Sequence, residues 1–145
     1  TLVGDCLKGV VPVVAAIYLG LGDSWLAAVG LAAFLGHIYT IFLGFKGGKG
    51  VATALGVFLA VSPAALGAAL FIFVAVVWKW RYISLGSLTA TAAFPVLLAL
   101  LRFPAIYIPF AVIIGALIFY RHRENIQRLL AGKENKFGAK KSAEA

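Results

Sequence analysis

Charged side chains and cysteine are scarce in this 145-residue chain. Aspartate, glutamate, lysine and arginine together make up 12% of it, about half the share in an average soluble protein. Cys6 is the only cysteine, so an internal disulfide is excluded. With two histidines and no recurring ligand spacing, the sequence predicts no metal site. Five acidic residues, none suitably placed, also disfavour a Ser-His-Asp hydrolase.

Methionine is absent altogether, and the chain begins with Thr1. Because translation starts with methionine, we expect a further N-terminal segment that was removed or lies on another chain. A cleaved secretory signal does not account for the apolar composition, because apolar segments recur as far as residue 120.

Apolar residues dominate what remains, at 63% of the chain with a mean hydropathy of +1.02. This composition predicts an all-α, polytopic integral membrane helix bundle. Six apolar segments are separated by turns and polar stretches, and they cover residues 10–21, 25–43, 50–61, 64–78, 83–101 and 105–120. The third spans only about 18 Å as a helix, so we expect it to be tilted, to cross a thin region or to be buried among neighbours. We expect residues 133–145 to fray.

The basic residues are distributed unevenly when the six segments are threaded back and forth across a membrane. Twelve of the thirteen fall on one side, and only Arg102 falls on the other. The positive-inside rule makes the first side cytoplasmic. The net charge of +8 is therefore attributed to cytoplasmic loops, and no nucleic-acid partner is predicted. This bias holds only if residues 50–61 cross the membrane.

A short stretch rich in glycine and lysine interrupts the apolar pattern. It contains Gly44, Lys46, Gly47, Gly48, Lys49 and Gly50. Glycines that leave successive N–H groups uncovered form anion-binding nests, and a helix starting at Gly50 adds its positive dipole end. The stretch predicts a phosphate or carboxylate site; the alternative is a flexible basic loop on anionic lipid. A Walker loop is rejected, because Leu43 replaces its first glycine and Gly50 replaces its Ser or Thr.

The threading gathers polar residues at the same membrane surface as this loop. They are Asp5, Lys8, Lys46, Lys49, Ser84, Ser87, Arg121, His122, Arg123, Glu124 and Asn125. Each also has a structural alternative. The serines could bond a carbonyl one turn back, Asp5 and Lys8 could pair on a helix, and the arginines could extend to head groups. His37, in an apolar run, is interpreted as a packed, hydrogen-bonded residue.

Three blocks of the sequence carry a resemblance to a known family: residues 5–9, 36–56 and 122–134. They resemble the bacterial membrane acyltransferases that use acyl phosphate to acylate glycerol 3-phosphate. Thr40 departs from the family, which has proline there. The family's first span and its Ser-Gly-Asn loop are absent. The resemblance therefore implies seven spans in the complete enzyme, six of them here, and a phosphate site that is incomplete in this piece.

The resemblance implies an enzyme of phospholipid synthesis in the bacterial inner membrane, with its active site facing the cytoplasm. Long-chain acyl phosphate and glycerol 3-phosphate would react to give lysophosphatidic acid and phosphate, without a cofactor. Residues 1–132 would form the transmembrane acyltransferase domain and residues 133–145 a cytoplasmic tail.

The resemblance also implies roles for individual residues. Lys49 and His122 would be catalytic, with Lys49 neutralising substrate phosphate and His122 mainly holding the substrate rather than acting as an obligate base. The substrate-binding residues would be Lys46, Gly47, Gly48, Gly50, Ser87 and Asn125. The acyl tail would lie in an apolar groove between spans.

Two other function classes stay open at this point. An anion or phosphorylated-metabolite transporter could use the same loop as a gate, although transporters usually show internal repeats and a midplane site. A non-catalytic lipid-binding subunit is the second alternative. Phosphate release that depends on glycerol 3-phosphate would separate the enzyme from both.

Overall fold

The computed structural model describes residues 1–40, 44 and 47–139. These described residues form seven α-helices and no strand, which confirms the all-α prediction. The helices are α1 (Leu2–Tyr18), α2 (Asp23–Ile38), α3 (Val51–Val61), α4 (Pro63–Trp80), α5 (Ile83–Leu100), α6 (Tyr107–Arg121) and α7 (Arg123–Leu130).

Two of these helices, α4 and α5, are long and apolar enough to cross a membrane. Each has 18 residues, or about 27 Å, close to the roughly 30 Å of a hydrocarbon core. The helices α2, α3 and α6 are apolar but shorter. Many large apolar side chains point outward, among them Tyr18, Trp25, Phe71, Val74, Trp78, Val96 and Leu100. Such an exterior is expected of a bundle that lipid surrounds.

The short helix α3 lies among its neighbours, which is one of the three arrangements expected from its length. Five of its eleven residues are buried. It meets α1 backbone to backbone, because a Cβ at Gly9 would overlap the carbonyl oxygen of Thr53, and one at Gly56 that of Cys6. The Thr53 hydroxyl also donates to the carbonyl oxygen of Asp5 at 3.0 Å. This close crossing brings Asp5 beside the start of α3.

Aromatic packing fixes α3 against the other side of the bundle. The ring of Phe58 in α3 lies 4.3 Å from that of Phe94 in α5 and 5.3 Å from that of Phe110 in α6, centroid to centroid. Phe34 of α2 is fully buried in the same cluster. Helix α3 is therefore held in place by helices α1, α2, α5 and α6.

The first helix begins earlier than the sequence predicted. The expected apolar segment started at residue 10, whereas α1 starts at Leu2 and carries Pro12 in its interior. The polar residues in its first half are tolerated, because Lys8 Nζ donates to Asp5 Oδ1 at 2.9 Å. This i, i+3 pair is the one that the spacing suggested.

Other predicted boundaries shift by a few residues. The second segment was expected to reach residue 43, but α2 ends at Ile38, and residues 41–43 lie outside the described ones. The last segment begins at Tyr107 rather than at residue 105. The predicted break at Ser62 and Pro63 is confirmed, with Pro63 at the first position of α4, where its missing N–H costs least.

The expectation of a frayed tail is wrong for residues 133–139. The N–H of Phe137 donates to the carbonyl oxygen of Arg81 at 2.5 Å, and Arg81 Nε donates back to the Phe137 carbonyl at 3.0 Å. The side chain of Glu134 is only 8% exposed. Hydrogen bonds therefore hold this segment on the bundle, although its composition is polar. Residues 140–145 lie outside the described ones.

Candidate functional site

The glycine-lysine loop needs its glycines for conformation and for space. Gly44 and Gly50 have φ angles of +60° and +85°, in the left-handed region that glycine adopts freely. Gly50 directly precedes α3, as predicted. A Cβ at Gly50 would also overlap the ring of Phe34. Lys46, predicted to bind substrate, lies outside the described residues.

Arg121 determines which way the peptide groups of this loop face. Its Nη2 donates to the carbonyl oxygen of Gly47, and its Nε donates to that of Gly48 at 3.2 Å. Because a trans peptide directs its N–H opposite to its C=O, the N–H groups of Gly48 and Lys49 face away from the guanidinium. Neither N–H donates to a backbone carbonyl of the described residues. Arg121 therefore does more than extend toward head groups.

A chain of hydrogen bonds connects Lys49 to the C-terminal segment. Lys49 Nζ donates to Asn125 Oδ1 at 2.5 Å, and Asn125 Nδ2 donates to Glu134 Oε1 at 2.8 Å. Glu134 Oε1 also accepts from the Ser84 hydroxyl at 3.0 Å, and Oε2 accepts from Arg128 Nε at 2.7 Å. The alternative in which Ser84 bonds a carbonyl one turn back is therefore wrong.

Glu134 is the main residue of the site that the sequence reading missed. Burial alone would raise the pKa of its carboxyl, but hydrogen bonds from Asn125, Arg128 and Ser84 outweigh burial and leave the pKa below its usual value. The residue is therefore ionised at neutral pH. The available signal was an acidic side chain that closes the 122–134 block within a basic segment.

His122 is 3% exposed and follows the last residue of α6. Its Nδ1 lies 2.8 Å from the carbonyl oxygen of Ile118. Since a carbonyl oxygen only accepts, Nδ1 carries the proton and Nε2 of the neutral ring is an acceptor. Burial and the charge of Lys49 lower its pKa, against the opposing hydrogen bond and Glu134, so the ring is neutral near pH 7. Its orienting partner is this carbonyl.

A cavity of about 820 Å³, whose walls are largely apolar, brings the predicted polar residues together. Gly48, Lys49, Gly50, Ser87, His122 and Asn125 all line it, together with Asp5, His37, Ser84 and Glu134. Lys49 and His122 thus lie at the same end of the bundle, as predicted. Gly47 is adjacent to the lining, whereas Lys8, Arg123 and Glu124 do not contribute to it.

An apolar groove opens from this cavity into the bundle. Val51, Leu55, Leu70 and Phe73 line both spaces, and so does Ser87. The groove continues between α3, α4, α5 and α6, where its further walls are Ala54, Phe58, Leu66, Ala69, Ala90, Thr91, Phe94, Ala111, Ile114, Gly115 and Ile118. The groove holds about 90 Å³, so the arrangement fits an anionic group in the cavity and the first carbons of an attached hydrocarbon chain in the groove.

Comparison with known proteins identifies the family. The sequence profile of the family described as glycerol-3-phosphate acyltransferase matches residues 1–132. A curated relative of that name from Geotalea daltonii is 60% identical over 137 residues, covering 94% of this chain and 71% of the relative. A relative of the same name from Aquifex aeolicus is 50% identical, covering 92% of this chain and 70% of its own length.

Solved structures show the same similarity. A crystal structure described as PlsY (YgiH), an integral membrane glycerol 3-phosphate acyltransferase in its glycerol 3-phosphate form, superposes with a TM-score of 0.86 at 47% identity. The match covers 92% of this chain and 68% of that one. The lysophosphatidic acid form of the same protein matches equally well. The chain therefore belongs to the glycerol-3-phosphate acyltransferase family.

Proposed function

We propose that this protein transfers the acyl group of a long-chain acyl phosphate to the primary hydroxyl of glycerol 3-phosphate, giving lysophosphatidic acid and phosphate. The observation that carries the proposal is that the cavity lined by Lys49, His122 and Asn125 opens directly into an apolar groove. A molecule with a phosphate head and a hydrocarbon tail fits such a pair of spaces. Membership of the acyltransferase family supports the same reaction.

Lys49 and the loop glycines bind and neutralise substrate phosphate in this proposal. The N–H groups of Gly48 and Lys49 face away from Arg121, and the N-terminus of α3 follows at Gly50. Oriented N–H groups and a helix N-terminus favour an anion. Gly47 packs closely against the end of α2. Lys46 remains a predicted second cation for substrate phosphate.

Glycerol 3-phosphate is held by Ser87, His122 and Asn125. The Nε2 atom of neutral His122 accepts a hydrogen bond from a glycerol hydroxyl, because its Nδ1 proton is engaged with Ile118. This role positions the nucleophile. General-base action by the same Nε2 is the alternative.

The reaction requires no nucleophile from the protein. The primary hydroxyl oxygen of glycerol 3-phosphate forms a bond to the acyl carbonyl carbon, and the bond from that carbon to the phosphate oxygen breaks. The departing phosphate takes the hydroxyl proton. Lys49 offsets the negative charge of the two phosphate groups that this step brings together, that of glycerol 3-phosphate and that of the departing phosphate. The first carbons of the acyl chain remain in the groove lined by Leu55, Phe58 and Phe94.

The protein is placed in the bacterial inner membrane with this cavity at the cytoplasmic face. Six helices, α1 to α6, cross the bilayer in alternating directions, and the amphipathic α7 lies at the surface. The proposal is supported by the concentration of basic residues on the side of Lys49. The neighbouring structure is that of an integral membrane protein.

Incubating the purified full-length protein with palmitoyl phosphate and glycerol 3-phosphate tests the proposal. We expect phosphate release that requires glycerol 3-phosphate and is matched mole for mole by lysophosphatidic acid. Palmitoyl-CoA serves as the control donor and should give no product. Phosphate release without glycerol 3-phosphate would instead indicate hydrolysis, and uptake of glycerol 3-phosphate into vesicles without acylation would indicate a transporter.

A further inference from the structure

A second histidine lies at the cavity and has no role in the proposed transfer. His37 is in the last turn of α2, and its side chain is only 9% exposed. Its Nδ1 lies 3.6 Å from Oδ1 of Asp5 on α1. Both residues line the same cavity as Lys49. His37 is packed, as expected, and its ring also reaches the wall of this cavity.

The other edge of the His37 ring lies against the glycine-lysine loop. A Cβ built on Gly48 would be 2.7 Å from Nε2 and 3.3 Å from Cε1 of the ring, so the imidazole occupies the space of any side chain there. A Cβ built on Gly47 would overlap the carbonyl oxygen of His37. The N–H of Gly47 also donates to the Ile38 carbonyl at 3.1 Å. The end of α2 is thus the surface on which the loop rests.

Two side chains approach this loop by different means. Arg121 donates to the carbonyl oxygens of Gly47 and Gly48, while His37 contacts Gly48 through its ring. The guanidinium fixes the orientation of the peptide groups. The imidazole sets the distance between the loop and α2.

Asp5 is itself held in a defined position. Thr53 bonds the backbone of Asp5 across the α1–α3 crossing, and Lys8 contacts its carboxylate at 2.9 Å. The carboxylate faces the Nδ1 edge of His37 at 3.6 Å, which is longer than a direct hydrogen bond, so it acts on the ring through its charge. A carboxylate in this position favours the ring orientation that turns an Nδ1–H toward it.

We propose that His37, oriented by Asp5, is a positioning residue that holds Gly48 and Lys49 in the arrangement that binds the phosphate monoester of the substrate. The proposal rests on the proposed function, because it assigns substrate phosphate to this loop. It adds a connection from α1 through α2 to the loop. Neither residue needs to contact the reacting atoms.

Replacing the ring nitrogens while keeping the ring tests this role. We expect His37→Phe to raise the KM for glycerol 3-phosphate about tenfold, with a smaller change in kcat. Asp5→Asn, which keeps the shape of the side chain, should raise the KM in the same direction. Because both act through one contact, the double variant should be little worse than His37→Phe alone.

The matched control is Asp23→Asn, which removes a carboxylate from the opposite end of the same helix. Asp23 Oδ1 accepts from the Tyr107 hydroxyl at 2.7 Å and lies outside the cavity. This variant should lower the melting temperature while leaving the KM unchanged. His37→Gln restores a polar group near the position of Nε2. Its KM for glycerol 3-phosphate should therefore lie between those of the wild type and His37→Phe.

A second measurement keeps this proposal separate from the acyl transfer. Glycerol 3-phosphate should raise the melting temperature of the wild-type protein, and by less in His37→Phe and Asp5→Asn. A wild-type protein that shows this shift but no acyl transfer would contradict the proposed function only. Variants with wild-type KM and wild-type thermal shift, or effects that simply multiply in the double variant, would overturn the positioning role. If His37→Phe fails to fold, the KM and the thermal shift of Asp5→Asn decide whether the positioning role holds.

Discussion

Lys49→Met is the substitution that probes the proposed site most directly. Methionine keeps an unbranched side chain of similar length but removes the ammonium group. In the structure, this group is held 2.5 Å from Asn125 Oδ1, and Asn125 is fixed in turn by Glu134. The charge of Lys49 is therefore positioned before substrate arrives.

The expected magnitude follows from this preorganisation. Removing one preorganised contact to a group that develops charge typically costs about 3–4 kcal/mol, or on the order of a hundred- to a thousandfold in kcat/KM. Asn125→Ala leaves the ammonium in place but removes its acceptor. We expect a smaller loss, about tenfold, which corresponds to about 1.4 kcal/mol. Combining both substitutions should lose less than the product of the two effects, because they share one contact.

The assay is glycerol 3-phosphate-dependent phosphate release from palmitoyl phosphate, with the melting temperature measured in parallel. Lys79→Met is the matched control, because Lys79 is exposed, lies over the ring of Trp80 and does not line the cavity. It should retain wild-type activity. Activity of Lys49→Met within threefold of the Lys79→Met value would refute the assignment of Lys49 to substrate phosphate.

Three further substitutions test other parts of the site. His122→Gln should raise the KM for glycerol 3-phosphate more than it lowers kcat. It should also remove the acid limb of the pH–activity profile below pH 6.5, because the lowered pKa keeps the wild-type ring neutral above that pH. A hundredfold loss confined to kcat would restore His122 as the base. Glu134→Gln should destabilise the protein by about 1.5–3 kcal/mol at pH 7. Because the folded state lowers the pKa of Glu134, its contribution to stability is present above about pH 4.5 and is lost as the pH falls through the folded pKa. The melting temperatures of the variant and the wild type should therefore converge at low pH. A difference that stays constant with pH would contradict this role of Glu134. Gly50→Ala should cost at least about 1 kcal/mol because of the positive φ, whereas Gly36→Ala, in open space on α2, should be neutral or slightly stabilising in the same melting experiment.

The helices and the glycine-lysine loop could be predicted because local chemistry determines them. Apolar runs of helical length, broken at Ser62 and Pro63, indicated α3 and α4 directly. Glycine was required at residue 50 by a left-handed backbone conformation that other residues adopt at a cost. The start of α1 was missed because Asp5 and Lys8 looked like a polar segment before the helix. Within the helix the two side chains pair with each other, so the helix can include them.

The remaining part of the site depends on contacts between distant segments. Glu134 meets Ser84 from 50 positions earlier in the chain, and Arg121 meets Gly48 across 73 positions. Neither pair leaves a periodic signal, since the residues lie on different helices and loops. The same holds for the approach of Asp5 to His37.

By itself, the sequence determined that the protein is helical and apolar, and that a glycine-lysine loop precedes a short helix. These properties follow from composition and from the conformational freedom of glycine, which act over a few residues. Only the tertiary structure decided which groups orient that loop, because the close crossing of α1 and α3 and the return of residues 133–139 bring their partners together. A buried carboxylate such as Glu134 is stable only where several donors converge on it, and that convergence is a property of the folded chain.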